Sequence, residues 1–248
     1  MSLRRLIALA AVALVAGPAA ASAASERCAV AATAHPPLPR VARLVTEGQP
    51  LRIVAIGSSS TEGTGATSPD RTYPAQLRAI LATGRPAVAA EIVNSGIGGE
   101  TVGMNMARLD RDVLAHRPDL VISQITTNDV FRNVPQATYA AEAREGIRRL
   151  RAGGADVILM EPQYLAAKAG DGAFLAAVAT VRELGAEFGL PVVARFDFMK
   201  QWLDDGRFTP TDLLSADGLH MTDASYRCLA EVVADIVAPP AVATASGG

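Results

Sequence analysis

Apolar and polar residues follow two different periods along this chain. Five short runs, 51–56, 89–93, 120–125, 155–160 and 191–196, are almost wholly apolar, as in Leu51-Arg52-Ile53-Val54-Ala55-Ile56, and read as strands buried on both faces. Between them, apolar positions recur three and four residues apart over 73–83, 102–117, 136–151, 172–188 and 222–237. This spacing predicts amphipathic helices, with Gly153-Gly154 and Gly189-Leu190-Pro191 as stops. Strands alternating with helices predict an α/β fold, a parallel sheet covered on both faces.

The first residues break this pattern. Arg4 and Arg5 precede an apolar run from Leu6 to Gly17 that leads to Ala21-Ser22-Ala23. This is the form of a secretory signal peptide over 1–23, and the run is too short to span a bilayer comfortably. Glu26 and Arg27 ahead of Cys28 argue against a lipoprotein anchor. A periplasmic or secreted protein without a stable membrane anchor is expected. After the leader come an Ala/Pro-rich extension over 24–48, a single domain over 49–238 and a flexible tail over 239–248. Cleavage removes Arg4, Arg5 and no acid from a formal net charge of −2, leaving −4. That balance, with no basic run, speaks against nucleic-acid binding. Aromatic residues make up only 4% of the chain, so no extended stacking platform for polysaccharide is evident. An oxidising compartment permits a bond between the two cysteines, Cys28 and Cys228. The sequence leaves open both that pairing and two separate thiols. It also leaves the oligomeric state open.

The candidate chemistry lies where strands end. Asp217-Gly218-Leu219-His220 sets a carboxylate three residues before one of three histidines. At this spacing a single turn brings the carboxylate to the imidazole Nδ1–H, which fixes the tautomer and leaves Nε2 to take a proton from a nucleophile. The same string also suits a helix cap beside a surface histidine. The first strand runs into Gly57-Ser58-Ser59-Ser60-Thr61-Glu62-Gly63, hydroxyls at the sheet edge where α/β proteins bind ligands. Chemistry alone does not choose among Ser58, Ser59 and Ser60. After the second and third strands come Asn94-Ser95-Gly96-Ile97-Gly98-Gly99-Glu100-Thr101 and Thr126-Thr127-Asn128-Asp129. A glycine N–H and an asparagine amide aimed at one point would hold an oxyanion, each donor contributing about 3 kcal/mol to the barrier.

Other motif readings fail. The elbow G-x-S-x-G meets Thr61 where glycine is required. A phosphate-binding loop would need glycine at Glu62 followed by lysine. Gly63-Thr64-Gly65-Ala66-Thr67-Ser68 ends in serine where a dinucleotide fingerprint needs glycine. With His35 in a Pro-rich stretch and His116 near an expected helix end, metal ligation has too few donors.

Together the four loops resemble the SGNH hydrolase superfamily, the GDSL esterases and lipases, over about 170 residues from Ile53 to His220. The first block, G-D-S-x-T-x-G, is matched by Gly57 to Gly63 and carries the nucleophile onto Ser59. The second, N-x-G-x-x-G-x-T, is matched by Asn94 to Thr101 and implies Gly99 as an oxyanion donor. The third, G-x-N-D, implies Asn128, and the last, D-x-x-H, implies Asp217 and His220. Ser58 stands where the pattern has aspartate, and Thr126 where it has glycine.

The resemblance implies a flavodoxin-like three-layer α/β/α sandwich with a five-stranded parallel sheet. It also implies a serine esterase that works through an acyl-Ser59 intermediate. The oxyanion would be held by the N–H groups of Ser59 and Gly99 and by the Asn128 side chain, without metal or organic cofactor. Val130 and Phe131, after Asn128, are candidate substrate contacts. The secretory pattern favours a short acyl group such as acetyl, on a glycan or small alcohol. A lipase or arylesterase, an acyltransferase to a sugar hydroxyl, and a non-catalytic glycan-binding protein remain alternatives.

Overall fold

In a computed structural model that describes residues 26–31, 33–84 and 86–239, five parallel strands form one sheet: β1 (Leu51–Gly57), β2 (Ala90–Gly96), β3 (Leu120–Gln124), β4 (Asp156–Met160) and β5 (Val192–Val193). The order is β2-β1-β3-β4-β5. Pairing sets Ile53 opposite both Ile92 and Leu120, and Ile122 opposite Ile158. The secretory leader expected over 1–23 and all of the expected tail except Pro239 lie outside the described residues.

The helices are α1 (Pro39–Thr46), α2 (Ser59–Glu62), α3 (Tyr73–Thr83), α4 (Val102–Ala107), α5 (Leu109–Asp112), α6 (Thr127–Phe131), α7 (Gln136–Ala152), α8 (Gly172–Phe188), α9 (Arg195–Asp204), α10 (Pro210–Leu213) and α11 (Asp223–Val237). Alternation along each strand divides the apolar side chains between two cores. Leu51, Ile53, Ala55, Leu120, Ile122, Ile158 and Met160 point to one face, beneath Leu77 of α3, Trp202 of α9 and Leu229 of α11. Val54, Ile56, Val121, Val157 and Leu159 point to the other, beneath Val102 of α4, Ile147 of α7 and Val181 of α8. Burying each Val, Leu, Ile or Met side chain among them stabilises the fold by ~1.5–3 kcal/mol before entropy is counted. The three-layer sandwich is therefore as expected.

Three segments depart from the sequence reading. The helix expected over 102–117 breaks into α4, α5 and a 3-10 turn, Leu114–His116. Arg108 sits at the first break, its guanidinium turned inward to Glu100 Oε2 (2.7 Å), Ser95 O (2.7 Å) and Ser95 Oγ (2.8 Å). The strand expected over 191–196 pairs only at Val192 and Val193, and from Arg195 the chain is helical. The buried Glu161 carboxylate, at the end of β4, accepts the Phe196 N–H (3.2 Å) and so offers negative charge to the start of α9. The segment 24–48, read as an extension ahead of the domain, contributes Cys28, Leu38 and Val41 to the first core. Its helix α1 is held at the lower edge of the sheet. Arg40 donates to Asp119 Oδ1 (2.8 and 2.6 Å), and Asp156 Oδ2 accepts the Val41 N–H (2.9 Å).

Cys28 and Cys228 form a disulfide, with Cα atoms 4.9 Å apart across 200 residues of sequence. Closing so long a loop removes conformational freedom from the unfolded chain. Replacing both cysteines by serine is expected to cost about 2–5 kcal/mol in urea unfolding, and reductant is expected to lower the unfolding midpoint of the unmodified protein but not of the double variant.

Candidate active site

The chain leaves β1 on one side to form β2 and returns on the other to form β3. Such a switch opens a crevice outside the carboxyl ends of the two central strands. Ser59 follows β1 there, at the first position of α2. Asn128 follows β3, in α6, and the 97–101 loop follows β2.

Gly96 explains how close these loops lie. A Cβ on it would fall 2.0 Å from Glu62 N, so only glycine lets β2 end against α2. A Cβ on Gly98 would lie 3.9 Å from Ser59 Cβ, which sets the glycine pair Gly98-Gly99 beside the serine. Among the described residues, the N–H groups of Ser59 and Gly99 donate to no protein acceptor. Gly99 O accepts from Arg132 Nε (3.0 Å), and Asn128 Nδ2 donates to Glu100 O (3.0 Å). Both bonds fasten the 97–101 loop to α6. Asp129, 1% exposed, completes the join by accepting the Val102 N–H on both oxygens (3.2 and 3.3 Å).

The histidine loop is a closed unit. Leu214 and Met221 pair as an antiparallel bridge, and Asp217 lies in the turn between them. Asp217 Oδ1 accepts the N–H groups of Leu219 and His220 (both 2.9 Å) and the Ser215 hydroxyl (2.9 Å). Its other oxygen lies 2.5 Å from His220 Nδ1. The hydrogen bond with His220, followed by these amides, holds the Asp217 carboxyl well below the usual carboxylate range. An acceptor fixed at Nδ1 leaves Nε2 as the basic nitrogen.

Three contacts dock this loop and the start of α11 against the turn that carries Ser59. Gly65, at φ +93°, faces it so closely that a Cβ would meet Met221 O at 2.5 Å and His220 Cβ at 3.1 Å. The Tyr226 hydroxyl donates to Thr64 O (2.8 Å), and Asp223 accepts from Thr67 N (2.9 Å) and Thr67 Oγ1 (2.5 Å). In sequence, Gly65 showed only as part of a failed dinucleotide fingerprint.

Both departures from the superfamily pattern have local explanations. Ser58 donates from its amide (2.8 Å) and its hydroxyl (2.9 Å) to Gln124 Oε1, so β3 anchors the turn that carries Ser59 through a neutral pair. Thr126 adopts φ +75°, a conformation that suits the glycine usual there. Its hydroxyl lies 3.4 Å from Ala177 O, and the residue is buried. A branched side chain at that φ stores about 1–2 kcal/mol of strain at the start of the helix bearing Asn128.

A model of the Non-GDSL lipase-like family matches residues 25–242. The chain belongs to that family. An arylesterase from Vibrio mimicus is 31% identical over 70 residues, 28% of this chain and 35% of its own length. An acetylxylan esterase from Geobacillus stearothermophilus is 32% identical over 119 residues, 44% of this chain and 51% of its own length. The chain therefore spans about half or less of the curated relatives it matches. Among solved structures, a variant of an acetyl xylan esterase from Geobacillus stearothermophilus superposes with a TM-score of 0.67 at 24% identity, over 77% of this chain and 96% of that one. A two-domain esterase active on acetylated mannans gives a TM-score of 0.67 at 21% identity, over 81% of this chain and 53% of that one. These structural likenesses establish the sandwich for this member of the Non-GDSL lipase-like family.

Val130 and Phe131 lie in α6 with Asn128. Val130 is half-buried between the second core and a small aromatic cluster, whereas Phe131 is 40% exposed. The Phe131 ring lies 6.3 Å from that of Phe174, with Lys168 Nζ 5.9 Å from its centre. Arg195, read in sequence as part of a strand, is buried behind the turn that carries Ser59 and donates to Ser60 Oγ (3.0 Å).

Two consequences can be measured. Burial pushes the Asp129 carboxyl up to about 6, so between about pH 4 and 6 the folded chain binds more protons than the unfolded one, and this residue lowers stability as pH rises through that window. Asp129→Asn is expected to remove that slope in urea midpoints taken from pH 4 to 7. Gly65→Ala is expected to destabilise by about 1–3 kcal/mol in the same assay, because left-handed strain is joined by a clash with the histidine loop.

Proposed function

We propose that this protein is a serine esterase that cleaves carboxylic esters through an acyl-Ser59 intermediate. The observation that carries the reading is the Asp217 carboxylate held 2.5 Å from His220 Nδ1, in a loop docked against the nucleophile turn. His220 Nε2 takes the Ser59 proton as Oγ attacks the ester carbonyl. The amides of Ser59 and Gly99, with the Asn128 side chain, receive the oxyanion. His220 then gives the proton to the departing alcohol, and water activated by the same nitrogen releases the acid and restores Ser59.

Short acyl groups, acetyl above all, on a glycan or small alcohol are the favoured substrates. The similarity to an acetylxylan esterase and to an esterase active on acetylated mannans supports this reading. The exposed Phe131 ring beside α8 supports a second one, an aryl ester. The signal-peptide form of residues 1–23, together with the disulfide, supports a periplasmic or secreted location. No helix among the described residues is long and apolar enough to cross a membrane.

Hydrolysis of p-nitrophenyl acetate tests the chemistry. Ser59→Ala is expected to abolish turnover at unchanged thermal midpoint, and Asp217→Asn to lower kcat by about 10³–10⁴-fold with a lowered midpoint, because the same carboxylate closes the histidine loop. Equal turnover in Ser59→Ala would remove Ser59 from the nucleophile role. Parallel assays with acetylated xylan and phenyl acetate separate the glycan reading from the aryl one.

A further inference from the structure

Arg195 is fully buried, 0% exposed, and makes no salt bridge among the described residues. Every hydrogen-bond partner it has among them is neutral. Nε donates to Glu161 O (2.9 Å), Nη1 to Ser60 Oγ (3.0 Å) and to Met221 Sδ (3.7 Å), and Nη2 to Gln163 Oε1 (3.1 Å). Gln163 in turn donates through Nε2 to Leu219 O (3.1 Å), the residue before His220. The nearby carboxylate of Glu161 is engaged by Arg182 Nε (2.6 Å) and by the Phe196 N–H.

Burying a charge without a contacting counter-ion is costly. Desolvation lowers the Arg195 guanidinium to about 10, so it stays charged near neutral pH. Its planar fork reaches three segments at once: the residue after Ser59, the loop after β4, and Met221 immediately after His220. Lysine, with a single compact ammonium on a flexible stem, lacks that rigid fork.

We propose that Arg195 is a positioning residue for the reaction, a buried cation that fixes the register between the nucleophile turn and the histidine loop. This rests on the esterase reading above. The groups it aligns act in the transition state, so loosening them lowers kcat and leaves substrate binding nearly intact. Displacements near 1 Å between reacting groups cost on the order of 10²-fold.

The test uses the full chain, p-nitrophenyl acetate as substrate, and thermal unfolding alongside. Arg195→Met is expected to lower kcat about 10²-fold with KM within about twofold. Arg195→Lys is expected to recover part of that loss. Ser60→Ala, which removes the direct link to the nucleophile turn and keeps the charge, is expected to lower kcat about tenfold and, because it leaves a buried charged donor short of an acceptor, to lower the midpoint as well. A folded Arg195→Met with kcat within about twofold of the unmodified protein overturns the proposal. If Arg195→Met does not fold, Ser60→Ala decides: the tenfold loss supports the proposal and an unchanged kcat overturns it. A fall in thermal midpoint with kcat unchanged would assign Arg195 to stability alone. Ser59→Ala run beside these variants separates the two failures, since turnover persisting there overturns the nucleophile assignment, whereas a dead Ser59→Ala with active Arg195 variants overturns only the role of Arg195.

Discussion

Strand β1 has a neighbour on each side and helices over both faces, so its backbone and side chains are committed to the sheet and the two cores. Only its carboxyl end, where the chain enters the crevice between β2 and β3, is free to carry chemistry. Everything at the site hangs from that end. Ser58 is anchored to Gln124 of β3, Gly96 lets β2 close on α2, and the loops after β2 and β3 are fastened to each other. A parallel sheet cannot place its connections on the same edge by hairpins, and that restriction gathers the functional loops at one end.

Buried polar groups set the relative positions of those loops. Asp129 joins the start of α4 to α6, Arg108 holds β2 to the helix that follows it, and Glu161 starts α9. Each has few conformations in which its hydrogen bonds are satisfied. A displacement of any of them strands a polar group away from water, at a cost of about 1–3 kcal/mol or more for a charge. Apolar packing over the same area would tolerate small slips far better. The loops are therefore positioned by groups whose errors are expensive.

The sequence was legible where local pattern and final environment agree. Helices 73–83 and 172–188 carry an uninterrupted apolar face and appear with the expected bounds. The central strands are apolar on both sides and were equally plain. Reading failed where a distant partner decides the outcome. The start of α9 depends on a carboxylate 35 residues away, and the apolar run before it looks like strand in isolation. The helix after Thr101 breaks at an arginine whose partners lie largely on another strand. At the site, the four loops were visible as motifs, and the substitutions at positions 58 and 126 were visible as departures. What those departures do was hidden, since the Ser58 partner lies 66 residues on and the φ of Thr126 is a property of the folded loop.

The disulfide lies close to both ends of the described chain, with Cys28 ahead of α1 and Cys228 in α11. Tension applied between the two termini would first straighten the short N-terminal stretch and peel the last turns of α11. It would then meet a covalent bond. The sheet, the crevice and the histidine loop all lie within the closed ring, so the load would pass through the bond rather than through them, and extension should halt there until the bond is reduced.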